Sequence, residues 1–300
     1  MILVKPEVLG PAVAVDTMRE ILRVLSEGDT TVLRCALVPA PDFRDRGRLQ
    51  LHYPRLHRVA ADGVQALCSD ARRELATFTD TSQTDEVLGA FEAMTYESEL
   101  PPETLEHRCR QAGIHKLGSG SYVSAVDLNG RPVAVLNGFL PALAASYGDP
   151  KALVSLLECH SWREIRDLRS HLLGALHPAN ATLASLRGAV GALAGRQYGI
   201  ELSEGRNGVH LSAGHLEGMF QAWRYFAAAD GHGIESTGLG QSLTARDVSM
   251  ASVATLASDP NLDEGSARMV APHGITEDLG REEVLERVWH WCATGKGTSS

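Results

Sequence analysis

The chain is poor in features that announce a chemistry by themselves. Its 300 residues hold five cysteines, Cys35, Cys68, Cys109, Cys159 and Cys292. They are odd in number, scattered and never in a CxxC pair, which argues against a disulfide framework and fits a reduced, cytoplasmic compartment. Basic residues are outnumbered, 28 Lys and Arg against 37 Asp and Glu, for a formal charge of -9. So acidic a chain lacks the cationic surface that grips phosphate backbones, and no nucleic-acid partner is expected, although a local basic pocket is compatible with one nucleotide. Long apolar runs are missing too. The longest uncharged run, residues 132–148, is broken by Pro141, Asn137 and Gly138, and Lys5 and Pro6 interrupt the apolar N-terminus. Neither a membrane span nor a secretion signal is visible. There is no GxxxxGK[ST] phosphate loop, no GxSxG elbow and no HExxH pair.

What is present is a globular composition with regular alternation. Hydrophobic residues make up 44% of the 300, enough in a chain of 32.2 kDa for one large domain or two modest ones. "MILVKP" reads as a short strand stopped by proline, and "DTMREILRVLSEG" as a helix with Thr17 and Glu20 as its capping box. "TVLRCALVPA" is a second strand. From Arg58 to His115 the pattern turns helical, in "GVQALCSDARRELATF", "TDEVLGAFEAMTY" and "PPETLEHRCRQAG". Asn129-Gly130 then marks a two-residue hairpin between "GSYVSAVDL" and "RPVAVLNGF". "KALVSLLECH" follows as a strand and "SWREIRDLRSHLLG" as a helix with Trp162, Ile165, Leu168 and Leu172 on one side. This is an α+β chain.

Residues able to carry chemistry are few. "KLGSGSYV" reads as a loop entering the hairpin rather than as a phosphate cradle. Cys159 and His160 are adjacent on a strand, point to opposite faces and cannot share a metal. His210, flanked by Val209 and Leu211, would by itself be a packed histidine. Asn207, Arg206 and Ser212 change that, because they gather hydrogen-bonding and cationic groups around an imidazole at a strand end. A neutral imidazole with one nitrogen fixed offers the other as a nucleophile near pH 7.

"GRNGVHLS" resembles the catalytic segment of the nucleoside diphosphate kinase family, with His210 as the nucleophile and Asn207 before it. Three further stretches resemble that family in the same order. "LVKPEVLG" carries Lys5 over as a phosphate-binding residue, "LHYPRL" carries Tyr53, and "LLGALHPANATLASLRG" carries Arg187. The resemblance implies a ferredoxin-like βαββαβ sandwich and phosphoryl transfer from ATP or another nucleoside triphosphate to a nucleotide-like acceptor through a phosphohistidine. It also implies Mg2+ held by the nucleotide phosphates rather than by protein ligands, a nucleotide as partner, and self-association into homo-oligomers.

The resemblance covers residues 1–57 and 150–226, as two parts of one core. Residues 58–149 are a helical and hairpin insertion, and residues 227–300 a C-terminal extension. The family's second arginine meets Ser170, leaving Arg169 or Arg166 to fill its place; its nucleotide-contacting threonine meets Leu176. The glutamate that orients the histidine meets Gln221, with Glu217 one turn earlier, and Ser212 is followed by alanine and glycine. These departures point to an altered donor or acceptor pocket. They leave two other readings: a biosynthetic kinase or nucleotidyl transferase working without a phosphohistidine, and a nucleotide-binding or assembly protein without turnover.

Overall fold

A computed structural model of the chain describes residues 1–84 and 86–293; the last residues of the C-terminal extension, 294–300, lie outside the described residues. The architecture is α+β. Eight strands build its two larger sheets: β1 (Ile2–Val4), β2 (Thr30–Pro39), β3 (Glu86–Gly89), β4 (His115–Gly118), β5 (Ser121–Leu128), β6 (Arg131–Leu136), β7 (Leu153–Ser161) and β8 (Val209–Leu211). The chain divides into two compact units. The first comprises residues 1–46, 146–254 and 276–293; the second holds residues 47–145 and 255–275. The expected boundaries near 57 and 150 thus shift to 46 and 145, and the C-terminal extension is shared between both units instead of forming one appendage.

In the first unit the strands run in the order β2, β7, β1, β8, with every neighbouring pair antiparallel. Two helices, α1 (Ala14–Glu27) and α2 (Leu186–Tyr198), pack on one face of this sheet. Their apolar stripes explain why. Ile21, Val24 and Leu25 from α1 and Leu186 and Val190 from α2 join Ile2, Val4, Leu157, Val209 and Leu211 of the sheet in one buried core. Each fully buried aliphatic side chain there contributes about 1.5–3 kcal/mol. Strand alternation then turns Leu3 and His210, which lie opposite each other on β1 and β8, to the other face. A third helix, α3 (His215–Ala222), follows β8 after the Ser212–Gly214 turn.

Two local expectations fail in this unit. Helix α1 begins at Ala14, so Thr17 is a fully buried interior residue rather than a cap, and Glu20 pairs instead with Arg23. Trp162 precedes the helical turns of residues 165–173 and is 93% exposed, its ring set edge-on against His160, while Ile165 and Leu172 are buried.

The second unit is layered on both sides of the sheet β3-β6-β5-β4, in which only β3 and β6 run parallel. Val126, Leu128, Val133 and Val135 face one core with Leu105 and Cys109; Val123, Ala134 and Leu136 face another with Ala71 and Leu75. Asn129 and Gly130, both at positive φ, make the expected two-residue turn between β5 and β6. Gly118 pairs with Ser121, so the "GSGS" stretch is the β4–β5 turn. "TDEVLGAFEAMTY" is split, however: Glu86–Gly89 is a strand beside β6, and only Ala90–Tyr96 is helical. The segment 255–275 is fastened within this unit by Arg55, whose Nε donates to Asp259 Oδ2 at 3.0 Å with both side chains buried.

Candidate active site

The site of the first unit is assembled on the edge strand β8. Gly208, just before it, has φ +76, and a Cβ there would meet Val8 and Val190 side-chain carbons at 3.2 and 3.3 Å. Only glycine fits this turn without strain. The Gly208 carbonyl accepts from the Lys5 backbone N–H at 2.8 Å, and its own N–H donates to Glu7 Oε1 at 3.0 Å. Lys5, buried at the end of β1, donates from Nζ to Asn207 Oδ1 at 2.9 Å and to the Gly205 carbonyl at 3.3 Å. Asn207 is fixed in turn by its Nδ2 donating to the Glu204 carbonyl at 2.9 Å.

Arg187 enters from the first turn of α2. Its Nε donates to the Val209 carbonyl on the open edge of β8 at 3.1 Å, and Nη1 to the Gly174 carbonyl at 3.3 Å. The α2 N-terminus is held by Ser185, whose Oγ accepts from the Gly188 N–H, so the arginine backbone is anchored beside the strand.

His210 Nε2 faces Glu217 Oε1 of α3 at 3.5 Å, and one-fifth of the His210 side chain is exposed. Glu217 Oε1 also accepts from Gln221 Nε2 at 2.6 Å, Oε2 accepts from the Ala213 N–H at 2.8 Å, and Gln221 Oε1 accepts from Ser212 Oγ at 2.7 Å. The Met1 carbonyl lies 3.0 Å from the same Ser212 Oγ, as an alternative acceptor for its single proton. A chain of polar contacts therefore runs from Ser212 through Gln221 and Glu217 to the imidazole. Glu217, and not the residue at 221, supplies the carboxylate.

Electrostatics favour a neutral imidazole. Burial pushes the His210 pKa below its ordinary value; Glu217 pulls it up, and the Lys5 and Arg187 charges push it down again. Burial likewise lowers Lys5, against a raising effect of Glu7. In a neutral ring with its proton on Nε2, facing Glu217, the free lone pair lies on Nδ1.

The other sequence candidates are placed elsewhere. Arg169 pairs with Glu277 at 2.6 Å and Asp278 at 2.7 Å and donates to the Ala213 carbonyl at 3.3 Å, at the opposite end of β8 from Lys5. Arg166 is exposed, and its carbonyl accepts from Ser170 Oγ at 2.6 Å. Leu176 is 52% exposed. Tyr53 belongs to the second unit, where its ring meets His52 edge-on. Two residues the sequence did not single out join the site: Glu7, and Arg224 one helical turn beyond Gln221, whose guanidinium lies 5.8 Å from the Phe220 ring centroid and which Glu217 influences electrostatically. A carboxylate two residues after Lys5 and an i, i+7 spacing from Glu217 were the available signals.

Among the described residues no helix is long and apolar enough to cross a membrane. Comparison with family models, curated proteins and solved structures finds no match.

Proposed function

We propose that this chain is a phosphotransferase of the nucleoside diphosphate kinase type, acting through a phosphohistidine at His210. The observation that carries the reading is that Lys5, Asn207 and Arg187, from stretches far apart in sequence, gather along the strand that bears His210, whose imidazole faces Glu217 at 3.5 Å. The strand order, with β1 and β7 central and both helices on one face, supports a ferredoxin-like βαββαβ sandwich.

In the proposed reaction the His210 Nδ1 lone pair attacks the γ-phosphorus of a nucleoside triphosphate. The bond from that phosphorus to the β–γ bridging oxygen breaks, and the nucleoside diphosphate leaves with the bond's electrons. Glu217 holds the Nε2 proton and the charge that develops on the ring. A second nucleotide-like acceptor then takes the phosphoryl group back from Nδ1, freeing the imidazole. Lys5 and Arg187 offset charge spread over the phosphoryl oxygens, as an in-line transfer requires. Lys5 and Arg187 carry charges of the kind that meet phosphate oxygens. Mg2+, which the resemblance implies, would arrive on the nucleotide and neutralise phosphate charge there.

Incubation with γ-labelled ATP is expected to give an acid-labile, base-stable label on the chain that is lost in His210→Ala. An equal label in that variant overturns the assignment. A second reading, nucleotide binding without turnover, is favoured by Arg169, which is tied to two carboxylates instead of facing Lys5. It expects calorimetric nucleotide binding with no label at any enzyme concentration.

A further inference from the structure

We infer that Glu7 is a positioning residue of this site: its carboxylate seats the Asn207–Gly208 turn and balances Lys5, so that the amine and His210 stand in register for a phosphoryl group. The inference rests on the phosphotransfer reading but assigns a role to a residue that the resemblance left without one.

The geometry is a two-sided clamp. Glu7 lies in the single 3-10 turn Pro6–Val8 that follows Lys5. From this short stretch the Lys5 N–H grips the Gly208 carbonyl at 2.8 Å and Glu7 Oε1 receives the Gly208 N–H at 3.0 Å, so both polar ends of one glycine are fixed by neighbours in sequence. Val8 closes the space beside Gly208 to any side chain. The residue before that glycine is Asn207, the acceptor of Lys5 Nζ, and two residues after it stands His210, opposite Leu3 on β1. A shift of the Gly208 peptide would therefore move the amine's partner and the imidazole together.

Charge gives Glu7 a second task. Its other oxygen, Oε2, is buried with no hydrogen-bond partner among the described residues. A carboxylate so placed is costly unless a nearby cation offsets it. Lys5 is that cation: burial drives its amine toward the neutral form, the Glu7 charge opposes this, and Arg187 works against Glu7. Glu7 thus works against the burial that favours a free amine.

The two tasks separate by substitution. Glu7→Gln keeps an oxygen for the Gly208 N–H and removes the charge, whereas Glu7→Ala removes both. The sequence has only four lysines, Lys5, Lys116, Lys151 and Lys296, so carbon-13 labelling at lysine Cε lets each titrate separately by NMR in the full chain. In Glu7→Gln the Lys5 midpoint is expected to fall, and His210 labelling at neutral pH to slow less than in Glu7→Ala. In Glu7→Ala labelling is expected to slow by at least about tenfold, and the His210 ring-nitrogen resonances to move. An unmoved Lys5 midpoint in Glu7→Gln, or labelling in Glu7→Ala as fast as in the unsubstituted chain, overturns the inference. If the unsubstituted chain is never labelled, the phosphotransfer reading fails by itself; unchanged Lys5 and His210 resonances in the two variants would then sink the Glu7 role independently.

Discussion

His210 is governed by opposing influences on one proton. Burial and two cations favour the neutral ring, while the Glu217 carboxylate favours the imidazolium. In the proposed reaction the nucleophile is the neutral ring, so the acid limb of the labelling rate should lie below pH 6.5, the ordinary histidine value. Glu217→Gln removes the one group that raises the pKa, so that limb should move to still lower pH. The variant also loses the charge that orients the ring, and labelling in the plateau should slow by about ten- to a hundredfold. A single-turnover rate profile from pH 5 to 8 measures both effects, and a limb that moves upward would contradict the assigned roles. His210, Lys5, Asn207 and Arg187 were open to proposal from the sequence because each sits in a short stretch that can be read by itself. Glu7 and Arg224 were not, since a carboxylate after Pro6 and an arginine among aromatics read as ordinary surface until strand pairing and helix facing are known.

At the level of elements, the site depends on a turn with little tolerance. Ala at position 208 would adopt a left-handed backbone at a cost of about 1–2 kcal/mol and press on Val8 and Val190 as well. Gly208→Ala is accordingly expected to lower unfolding free energy by about 2 kcal/mol in urea titration; a change within about 0.5 kcal/mol would mean the turn relaxes freely. The same physics shows which elements the sequence could reveal. Asn129-Gly130 specified its turn because both positions need positive φ. Residues 86–89 did not declare themselves a strand: a short apolar run followed by alanines fits either period, and the parallel partner β6 lies far along the chain. Thr17 and Glu20 had the spacing of a cap, yet the helix extends one turn further back because Val13 and Thr17 bury against the core.

For the whole molecule, proton linkage sets a pH window. His57, His210 and His215 all have pKa values lowered chiefly by burial. As pH falls below about 6.5, the unfolded chain takes up protons that the folded chain resists, so stability should decline from there. Carboxylates held low by hydrogen-bonded partners, Asp16 by Tyr198 and Asp70 by Arg268 foremost, add a second loss only near and below pH 4. Urea midpoints at pH 8, 6 and 5 test the sign: a midpoint that rises on acidification is incompatible with these buried imidazoles. The α+β character and the alternation of the first unit were readable in the periodicity. The division of the C-terminal extension was not, because it depends on returns such as Arg55 to Asp259 that leave no local pattern. One more long return has a temporal consequence. Strands β2 and β7 pair from Thr30↔Ser161 to Pro39↔Leu153, and Ala40 N–H meets the Ala152 carbonyl at 2.9 Å, so they form a hairpin whose loop is nearly all of the second unit. On a growing chain β2 must wait for that whole loop to be synthesised before it finds its partner. Closing so long a loop adds only a slowly growing entropic cost, but it makes the pairing late. Until then Leu33 and Leu37, exposed even in the finished fold, stand on an edge strand without β7, its one neighbour in the sheet.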